Sequence, residues 1–546
     1  MGEKRDIKYI VITGGVLSGL GKGVVSASIG RLFSSRYKVM SIKCDGYLNV
    51  DPGTMNPTIH GEVFVLDDGG EVDLDFGHYE RFMNIDCRSE WSITSGKVFL
   101  TIMEKERRGE FLGGDVQVVP HVTGEIRERI KRLAQEASAD IALIEIGGTV
   151  GDMENLWFME AARELLNDVG RDHVLFVHLG LLPVIDSQGQ QKTKPLQQSV
   201  NLLRERGIFP DVIIGRTKER LTDSSRRKLG LRCNVGEDAV ISDPDCDYVY
   251  ELPLIFEEEG LDAIISKKFG LEKEKGTMDA WRTLIDGMKH PKQEITVAIC
   301  GKYTDLADSY ISILEALSHA GAYAQTRVSV RWLETTDIRT EEDAGALLED
   351  VDAMIVPGGF GSRGIEGKIT AIRYARTHKI PFLGICYGLQ LAVIEHARHV
   401  MGIEQAHTTE IDSETTAPVV DILPEQVEIT DKGGTMRLGA YPAILSEGTM
   451  LAGLYGATHV SERHRHRFEV NPEYHDELEG KGLLFAGKSP DGKLVEFIER
   501  DDHPFFVATQ GHPELKSRFD RPAPMFAGLV RAALKKKELV VPDVHA

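Results

Sequence analysis

The chain has 546 residues, a formal net charge of −21, and 42% hydrophobic against 27% charged residues. This length exceeds what one hydrophobic core supports, so we expect at least two globular domains. The acidic balance excludes general binding to nucleic acid, which needs clustered positive charge. No apolar run is long enough to span a membrane, and the amino terminus lacks the apolar core of a signal peptide. We therefore expect a cytoplasmic protein that binds neither membrane nor nucleic acid.

The first half alternates β-branched, apolar runs with helical patterns. Strands are predicted at "YIVITGG", "KVMSIKCD", "IALIEIGG" and "VLFVHLG", and a helix is predicted from about Lys22 to Ser35. Such alternation is typical of a parallel sheet flanked by helices. We therefore predict an α/β fold for this half.

The first predicted strand runs into "GGVLSGLGKG", a glycine-rich turn with Lys22 at the start of a helix. Backbone N–H groups and the helix N-terminus would surround an anion there, and Lys22 would reach phosphate groups. The common phosphate-loop pattern is not met, because Val16 replaces its first glycine and Gly23 follows the lysine where Ser or Thr is usual. The alternative is a turn without a ligand, although so many glycines are costly for packing alone.

Two acids lie in or beside predicted strands of the same half. They are Asp75 in "EVDLDFGH" and Glu145 in "IALIEIGGTVGD". A carboxylate in such a place needs a partner or a metal to offset its desolvation, and Mg²⁺ that bridges phosphates would serve. Each acid alone could instead be an ion-paired core residue. Their occurrence with a phosphate loop favours magnesium.

A charged segment over residues 268–293 separates the two halves. We therefore predict a first domain over 1–267, a linker over 268–293, and a second domain over 294–546. Strands of the second domain are predicted at "ITVAICGKY", "VSVRWLE", "DAMIVPGG", "PFLGIC" and "FFVATQ", with helical stretches between them. This pattern predicts a second α/β domain.

The second half carries a candidate nucleophile. Cys386 stands between Gly384 and Gly388 where a strand gives way to a helix, which is typical of a nucleophile elbow. The alternative is a buried structural cysteine, which is what we expect for most of the six cysteines, since none has C-x-x-C spacing. However, "VPGGFG" offers backbone donors for an oxyanion, and "TQGHPE" spaces His512 and Glu514 so that the acid can orient the imidazole. The pattern predicts a Cys–His–Glu triad.

Longer motifs carry a family resemblance. In the second half, "GGFG", "GICYGLQ" and "HPE" resemble a class I glutamine amidotransferase domain. In the first half, "GGVLSGLGKG", "NVDPGTMNP", "HGEVFVLDDGGEVDLDFGHYERF", "KERRGEFLGGDVQVVPH", "EIGGTVGDMEN" and "KTKPLQQSV" resemble the amidoligase domain of the CTP synthase family. The implied fold is two mostly parallel sheets flanked by helices, the first of the dethiobiotin synthetase type. In that type Gly-Lys-Gly replaces Gly-Lys-Ser/Thr, and acids hold the metal.

The resemblance implies an activity as well. ATP would phosphorylate O4 of UTP, and ammonia from L-glutamine would displace the phosphate to give CTP. It also implies Mg²⁺ as cofactor, activation by GTP, inhibition by CTP, and a homotetramer.

The resemblance further implies residue roles by position. ATP would be bound by Ser18, Gly19, Leu20, Gly21, Lys22, Gly23 and Asp75, with Lys43 beside the transferred phosphate. Asp75 and Glu145 would bind magnesium. The site for UTP and CTP would comprise Ser18, Asp152, Met153, Glu154, Lys192, Thr193, Lys194, Pro195, Leu196, Gln197 and Lys228. Glutamine would be held by Gly359, Tyr387, Gly388, Leu389, Gln390, Glu410 and Arg467, beside Cys386, His512 and Glu514. From composition alone, "ERHRHRF" around Arg467 favours a solvated strand face.

Three glycines depart from the family pattern. Gly19 stands where serine is frequent, Gly46 where proline is frequent, and Gly511 where an aromatic residue often precedes the triad histidine. Gly19 removes one possible phosphate donor. Gly511 leaves open how tightly His512 is packed.

Two other functions deserve comparison. The chain could be a regulatory or polymer-forming protein with an inactive glutaminase half, but the intact triad argues against this. It could also be another glutamine-dependent amidoligase, acting on a cobyrinic acid or a biotin precursor. The motifs "GDMEN" and "KTKPLQ" favour a pyrimidine nucleotide instead.

Overall fold

The computed structural model describes residues 6–53, 55, 61–185, 189–272, 276–301, 307–359, 363–422 and 436–541. The chain divides into two compact units. The first contains the residues up to Pro52 and Asp75–Arg282, and the second contains Gly53–Leu74 and the residues from Thr283 onward. The later division thus falls inside the segment 268–293. Residues 53–74 were predicted to belong to the first domain, but in the structure they are part of the second unit.

The first unit is built on a seven-stranded sheet, in the order β5-β2-β6-β1-β7-β8-β9. All of its neighbouring strands are parallel. The strands are β1 (Lys8–Gly15), β2 (Val39–Asp45), β5 (Ser92–Thr94), β6 (Ile141–Ile146), β7 (Val174–Leu181), β8 (Val212–Thr217) and β9 (Val240–Pro244). Strands β1, β2 and β6 are buried along their whole length, as strands covered on both faces should be.

Helices connect these strands and cover the sheet. They are α1 (Lys22–Ser34), α2 (Asp75–Met83), α3 (Ser95–Arg107), α4 (Thr123–Glu136), α5 (Leu156–Val169), α6 (Lys194–Glu205), α7 (Asp223–Cys233), α8 (Leu252–Glu258) and α9 (Leu261–Phe269). A further helix, α10 (Asp279–Lys289), spans the division between the units. Its Trp281 is fully buried and donates a hydrogen bond to the Tyr250 carbonyl at 2.7 Å.

The second unit contains a nine-stranded sheet, in the order β11-β10-β12-β13-β21-β20-β19-β16-β17. Strands β10 to β13 and β21 are parallel to their neighbours in that group, and the remaining pairs are antiparallel. The strands are β10 (Gln293–Gly301), β11 (Thr326–Glu334), β12 (Ala353–Val356), β13 (Phe382–Ile385), β16 (Arg437–Leu445), β17 (His459–His466), β19 (Leu483–Lys488), β20 (Val495–Arg500) and β21 (Phe506–Thr509). Smaller sheets hold β3 (Phe64–Val65), β4 (Glu71–Val72), β14 (Ala406–Thr408), β15 (Ala417–Ile422) and β18 (Phe468–Val470).

Helices pack on both faces of the nine-stranded sheet. They are α11 (Ile311–Tyr323), α12 (Glu341–Leu348), α13 (Ile365–Thr377), α14 (Tyr387–His396), α15 (Met450–Tyr455), α16 (His475–Leu478) and α17 (Pro524–Lys536). Along β10, Ile295, Val297 and Ile299 join one core cluster, whereas Ala298 and Cys300 join the other. This alternation places one core on each side of the sheet.

The predicted α/β fold with two helix-flanked sheets is confirmed. The first sheet is wholly parallel, but the second is mixed rather than mostly parallel, because β16, β17, β19 and β20 pair in antiparallel fashion. Every strand predicted above is present, and the first predicted helix spans Lys22–Ser34. All six cysteines are free, and five of them are buried. Among the described residues, no helix has the length and apolarity to cross a bilayer.

Candidate active sites

The loop between β1 and α1 contains the predicted phosphate-binding residues. Lys22, the first residue of α1, is only 7% exposed, and its Nζ donates to the Gly148 carbonyl at 2.7 Å. Burial lowers the pKa of Lys22, although the Glu145 carboxylate acts in the opposite direction. Ser18 and Gly19 are exposed at the tip of the loop. The loop therefore offers open backbone, and a buried ammonium group lies at its base.

The structure explains why Gly23 replaces the usual Ser or Thr. A Cβ atom on Gly23 would lie 2.0 Å from Oδ1 of Asp75. The Asp75 carboxylate thus occupies the space that a hydroxyl side chain would need. An acid from α2 stands where the common phosphate loop places its metal-binding hydroxyl.

We expect Gly23→Ala to destabilise the first unit. The added methyl group overlaps Asp75, and overpacking of this kind costs about 1–3 kcal/mol. Scanning calorimetry should show a lower Tm than for the parent protein. The matched control is Gly124→Ala in α4, where a Cβ atom meets nothing within 4 Å. Equal Tm values for the two variants would contradict the close approach.

A cluster of buried charges adjoins this loop. Lys43 on β2 forms an ion pair with Asp75, and its Nζ lies 3.9 Å from Oε1 of Glu145 on β6. The hydroxyl group of Tyr79 on α2 donates a hydrogen bond to Oε2, the other carboxylate oxygen of Glu145. Burial raises the pKa of Glu145 to about 7, although Lys43 opposes this. Burial also acts to raise the pKa of Asp75, but Lys43, His78 and Lys22 outweigh it and the pKa is lowered.

These acids suit a divalent cation that also binds phosphate. In the part of the chain that the structure describes, no three His, Cys, Asp or Glu residues form a closed metal cage. Magnesium commonly uses only one or two carboxylates and takes its other ligands from water and phosphates. Glu145 is buried, Asp75 is half-buried, and both lie against Lys43, so a cation held by these acids would offset their desolvation.

The predicted pyrimidine residues lie at the same edge of the sheet as this loop. Strands β6, β1 and β7 are adjacent and parallel, so the segments that follow them meet at their carboxyl ends. Asp152 to Glu154 follow β6, and Lys192 to Gln197 lead into α6 after β7. Met153 and Lys194 are exposed there, and Lys228 is exposed on α7.

Hydrogen bonds and packing hold these segments. Asp152 accepts from the Thr149 hydroxyl at 2.9 Å, and Gln197 donates to the Thr193 hydroxyl at 2.9 Å. Leu196 packs over Gly180, where a Cβ atom would lie 2.2 Å from it. The side chains that fix the segments are thus separate from those that are exposed to solvent.

Cys386 lies at a sharp turn between β13 and α14. Its φ and ψ are 51° and −102°, outside the ordinary regions for a residue with a side chain. Gly388 permits this turn, because a Cβ atom there would lie 2.1 Å from the Val356 carbonyl oxygen. The backbone N–H of Cys386 donates to Thr509 at 2.7 Å. The strained turn positions the thiol at the carboxyl end of the parallel strands, as a nucleophile elbow requires.

The three predicted segments converge around this thiol. A Cβ atom on Gly358 would lie 2.9 Å from Cε1 of His512 and 3.5 Å from Cβ of Cys386. Nδ1 of His512 lies 2.7 Å from Oε1 of Glu514, which leaves Nε2 buried and without a hydrogen-bond partner in the described structure. Burial acts to lower the pKa of His512, but Glu514 and the sulfur of Cys386 raise it well above its ordinary value. This is the arrangement expected of a nucleophile, a base and an acid that orients the base.

The predicted glutamine residues lie on several elements of the second unit. Tyr387, Leu389 and Gln390 are buried in α14, and Nε2 of Gln390 donates to the Phe468 carbonyl at 2.8 Å. Burial, followed by Glu410, raises the pKa of Tyr387. Gly359 is exposed after β12, and Arg467 is partly buried after β17.

The structure corrects the expectation of a solvated face for "ERHRHRF". Glu462, Arg463, His464 and His466 are all buried, and Arg463 is 0% exposed. Nε of Arg463 donates to Asp67 at 2.5 Å, and Arg465 donates to Glu71 at 2.9 Å. Composition alone could not predict this burial, because the partners of Arg463 and Arg465 come from the hairpin of β3 and β4, nearly 400 residues earlier.

Gly511 does not loosen the packing around His512. A Cβ atom on Gly511 would lie 2.8 Å from Cβ of Glu462 and 3.4 Å from Nε2 of His464. The backbone N–H of His512 donates to the Arg463 carbonyl at 2.7 Å. Side chains of β17 therefore fill the space that a larger residue would occupy. At Gly46, a Cβ atom would lie 2.8 Å from Glu154, so this glycine permits close packing as well.

Each half of the chain matches a known protein family. The model of the CTP synthase N-terminus matches residues 8–271, and the model of class I glutamine amidotransferases matches residues 305–532. The CTP synthase of Methanocaldococcus jannaschii is 53% identical over 98% of this chain and 99% of its own length. The chain belongs to the CTP synthase family. It is therefore a ligase with a glutamine amidotransferase half.

A second relative agrees with this assignment. The CTP synthase of Thermococcus kodakarensis is 53% identical over 97% of this chain and 99% of its own length. The solved glutaminase domain of Trypanosoma brucei CTPS with bound acivicin is 35% identical, covers 46% of this chain and 98% of that chain, and has a TM-score of 0.43.

Proposed function

We propose that this protein makes CTP from UTP by amination at C4, driven by ATP. ATP phosphorylates O4 of the uracil ring, which converts a poor leaving group into a good one. Ammonia then adds at C4 and phosphate departs. The proposal rests on two groups of residues in one chain: the predicted phosphate loop with Asp75 and Glu145 beside Lys43, and the Cys–His–Glu arrangement of Cys386, His512 and Glu514.

In the first unit, backbone N–H groups of the loop and Lys22 hold the phosphates of ATP. Lys43 lies beside the transferred phosphate and balances its charge. Asp75 and Glu145 hold magnesium, which supplies charge neutralisation to the phosphates when it is bound. The remaining loop residues that we propose for ATP are Ser18, Gly19, Leu20, Gly21 and Gly23.

The pyrimidine ring and ribose of UTP bind at the same sheet edge. The residues proposed for this site are Ser18, Asp152 to Glu154, Lys192 to Gln197, and Lys228. CTP would inhibit by occupying part of this site. The exposed lysines of the site, Lys194 and Lys228, suit the negative charge of a nucleoside triphosphate.

In the second unit, Cys386 attacks the carbonyl carbon of the glutamine side chain. The thiol proton passes to His512, which returns a proton to the departing ammonia. Glu514 holds the imidazole, and backbone N–H groups near Gly359 and Cys386 stabilise the oxyanion. Water then hydrolyses the thioester and releases glutamate. Gln390, Glu410 and Arg467 bind the glutamine substrate, with the α14 residues Tyr387, Gly388 and Leu389.

Family membership also supports regulation by GTP, assembly into a homotetramer, and a cytoplasmic location. The direct test of the function is incubation with UTP, ATP, Mg²⁺ and glutamine, with the product followed by its ultraviolet spectrum. Formation of CTP, ADP, phosphate and glutamate in equal amounts supports the proposal. Amination of another acceptor without CTP would favour a different amidoligase.

We expect Asp75→Asn and Glu145→Gln to raise the magnesium requirement strongly or to abolish synthesis. Each variant keeps the shape of the side chain but removes a hard anionic ligand. CTP formation should be titrated against Mg²⁺ at fixed ATP. Asp172→Asn, at an exposed position before β7, is the matched control. An unchanged magnesium dependence in both test variants would make these acids structural residues.

A further inference from the structure

A buried glutamine contacts the sulfur of the nucleophile. Gln510 directly follows β21, two residues before His512, and is 0% exposed. Its side-chain Nε2 lies 3.7 Å from Sγ of Cys386, within the range for a hydrogen bond to sulfur. Its backbone N–H donates to the Glu496 carbonyl at 2.8 Å. The residue is therefore held from both its backbone and its side chain.

Neighbouring groups determine which way the Gln510 amide points. Nε2 of Gln390 donates to the Phe468 carbonyl, which can only accept, so the orientation of the Gln390 amide is fixed. The same Nε2 lies 3.3 Å from the Gln510 side chain, which must present its oxygen there. The NH₂ group of Gln510 is consequently directed at Cys386.

The two contacts of the sulfur suit different protonation states. Sγ of Cys386 lies 4.0 Å from the Arg465 carbonyl oxygen, which can accept a hydrogen bond from the neutral thiol but repels a thiolate. An amide N–H has the opposite preference, because it donates most strongly to a charged acceptor. Loss of the thiol proton therefore weakens the contact with Arg465 and strengthens the contact with Gln510.

We propose that Gln510 is the hydrogen-bond donor that stabilises the Cys386 thiolate, with Gln390 holding its amide in the donating orientation. In this step the S–H bond breaks, its proton moves to Nε2 of His512, and the sulfur accepts from Gln510 without forming a new covalent bond. The inference rests on the proposed glutaminase reaction. It adds a group that contacts the reacting atom to the triad and the oxyanion donors.

The test compares Gln510→Met and Gln510→Glu with the parent protein. Methionine keeps the length of the side chain but removes both N–H donors, and glutamate places a carboxylate beside the sulfur. We follow the rate of alkylation of Cys386 by iodoacetamide against pH, with the modified peptide measured by mass spectrometry. The midpoint of this profile should rise by about 1–2 pH units in Gln510→Met, and further in Gln510→Glu. The kcat/KM for glutamine should fall about 10- to 100-fold in Gln510→Met.

Two controls separate this role from a general loss of packing. Gln405→Met and Gln405→Glu make the same changes at an exposed position of the second unit and should leave the midpoint unchanged. Alkylation of the half-buried Cys246, followed in the same samples, should also keep its profile. Gln390→Met should shift the Cys386 midpoint in the same direction, because it frees the Gln510 amide to rotate.

A fall in kcat/KM with an unchanged midpoint in both Gln510 variants would overturn the proposal, since Gln510 would then only support packing. A midpoint that moves to lower pH would overturn it as well. The alkylation profile needs no turnover. Failure of the parent protein to hydrolyse glutamine would thus count against the proposed function, whereas an unmoved midpoint counts against Gln510 alone.

Discussion

Cys386→Ala should make almost no CTP from glutamine and release no glutamate. The substitution removes the only nucleophile of the triad, and we expect glutamine-dependent synthesis to fall by about a thousandfold or more. The phosphate loop, Asp75 and Glu145 belong to the other unit and are untouched. With ammonium salts at raised pH, where more ammonia is unprotonated, the variant should still convert UTP to CTP. CTP, glutamate and ADP should all be measured in each assay.

The matched control is Cys300→Ala, which removes a buried thiol from β10 in the same unit. It should retain glutamine-dependent synthesis. If Cys386→Ala still uses glutamine, Cys386 is not the nucleophile. If the folded variant binds ATP but fails with ammonia too, the two reactions do not occur at separable sites.

Lys22→Ala should lose synthesis from ammonia and from glutamine alike. Lys22 is the buried charged group that we propose to contact the phosphates of ATP, and loss of a charged transition-state contact costs about 100- to 1000-fold in rate. Basal glutamine hydrolysis should continue, because the triad belongs to the second unit. Initial rates of CTP and glutamate formation distinguish the two effects.

Lys8→Ala provides the comparison for Lys22→Ala. Lys8 is also buried, but it lies at the start of β1, at the opposite end of that strand from the loop, and it pairs with Asp6. This variant should synthesise CTP at the parent rate. Near-parent synthesis by Lys22→Ala would remove the phosphate-loop assignment.

The sequence predicted the parallel sheets because their strands are continuous apolar runs that are buried on both faces. "YIVITGG" and "IALIEIGG" pair directly as β1 and β6, and their ends position the phosphate loop and Glu145. The loop also had a local signal, since glycine and lysine at a helix start are uncommon without an anion. Cys386 and His512 were predicted in the same way, from small residues and short spacings at strand ends.

Other parts of the sites had no local signal. Gln510 was missed because a glutamine does not titrate, and its proposed role depends on Gln390 and Cys386, which are distant in sequence. Tyr79 looked like an ordinary aromatic residue of a helix, and only the fold brings it to Glu145. Arg463 was predicted to be solvated because its partner Asp67 lies in a hairpin of two-residue strands, too short for a periodic pattern.

Because of the hairpin of β3 and β4, each of the two units is built from two separate stretches of the chain. The backbone leaves the first unit after Pro52, contributes residues 53–74 to the second, and returns at Asp75. Cutting the chain once, between Arg282 and Thr283, therefore cannot yield two complete halves. The amino-terminal fragment would carry Phe64, Val65 and Leu66 without the surface that buries them, and the carboxyl-terminal fragment would lack the partners of Arg463 and Arg465. Separate expression of two fragments divided at that point would therefore part Arg463 and Arg465 from Asp67 and Glu71.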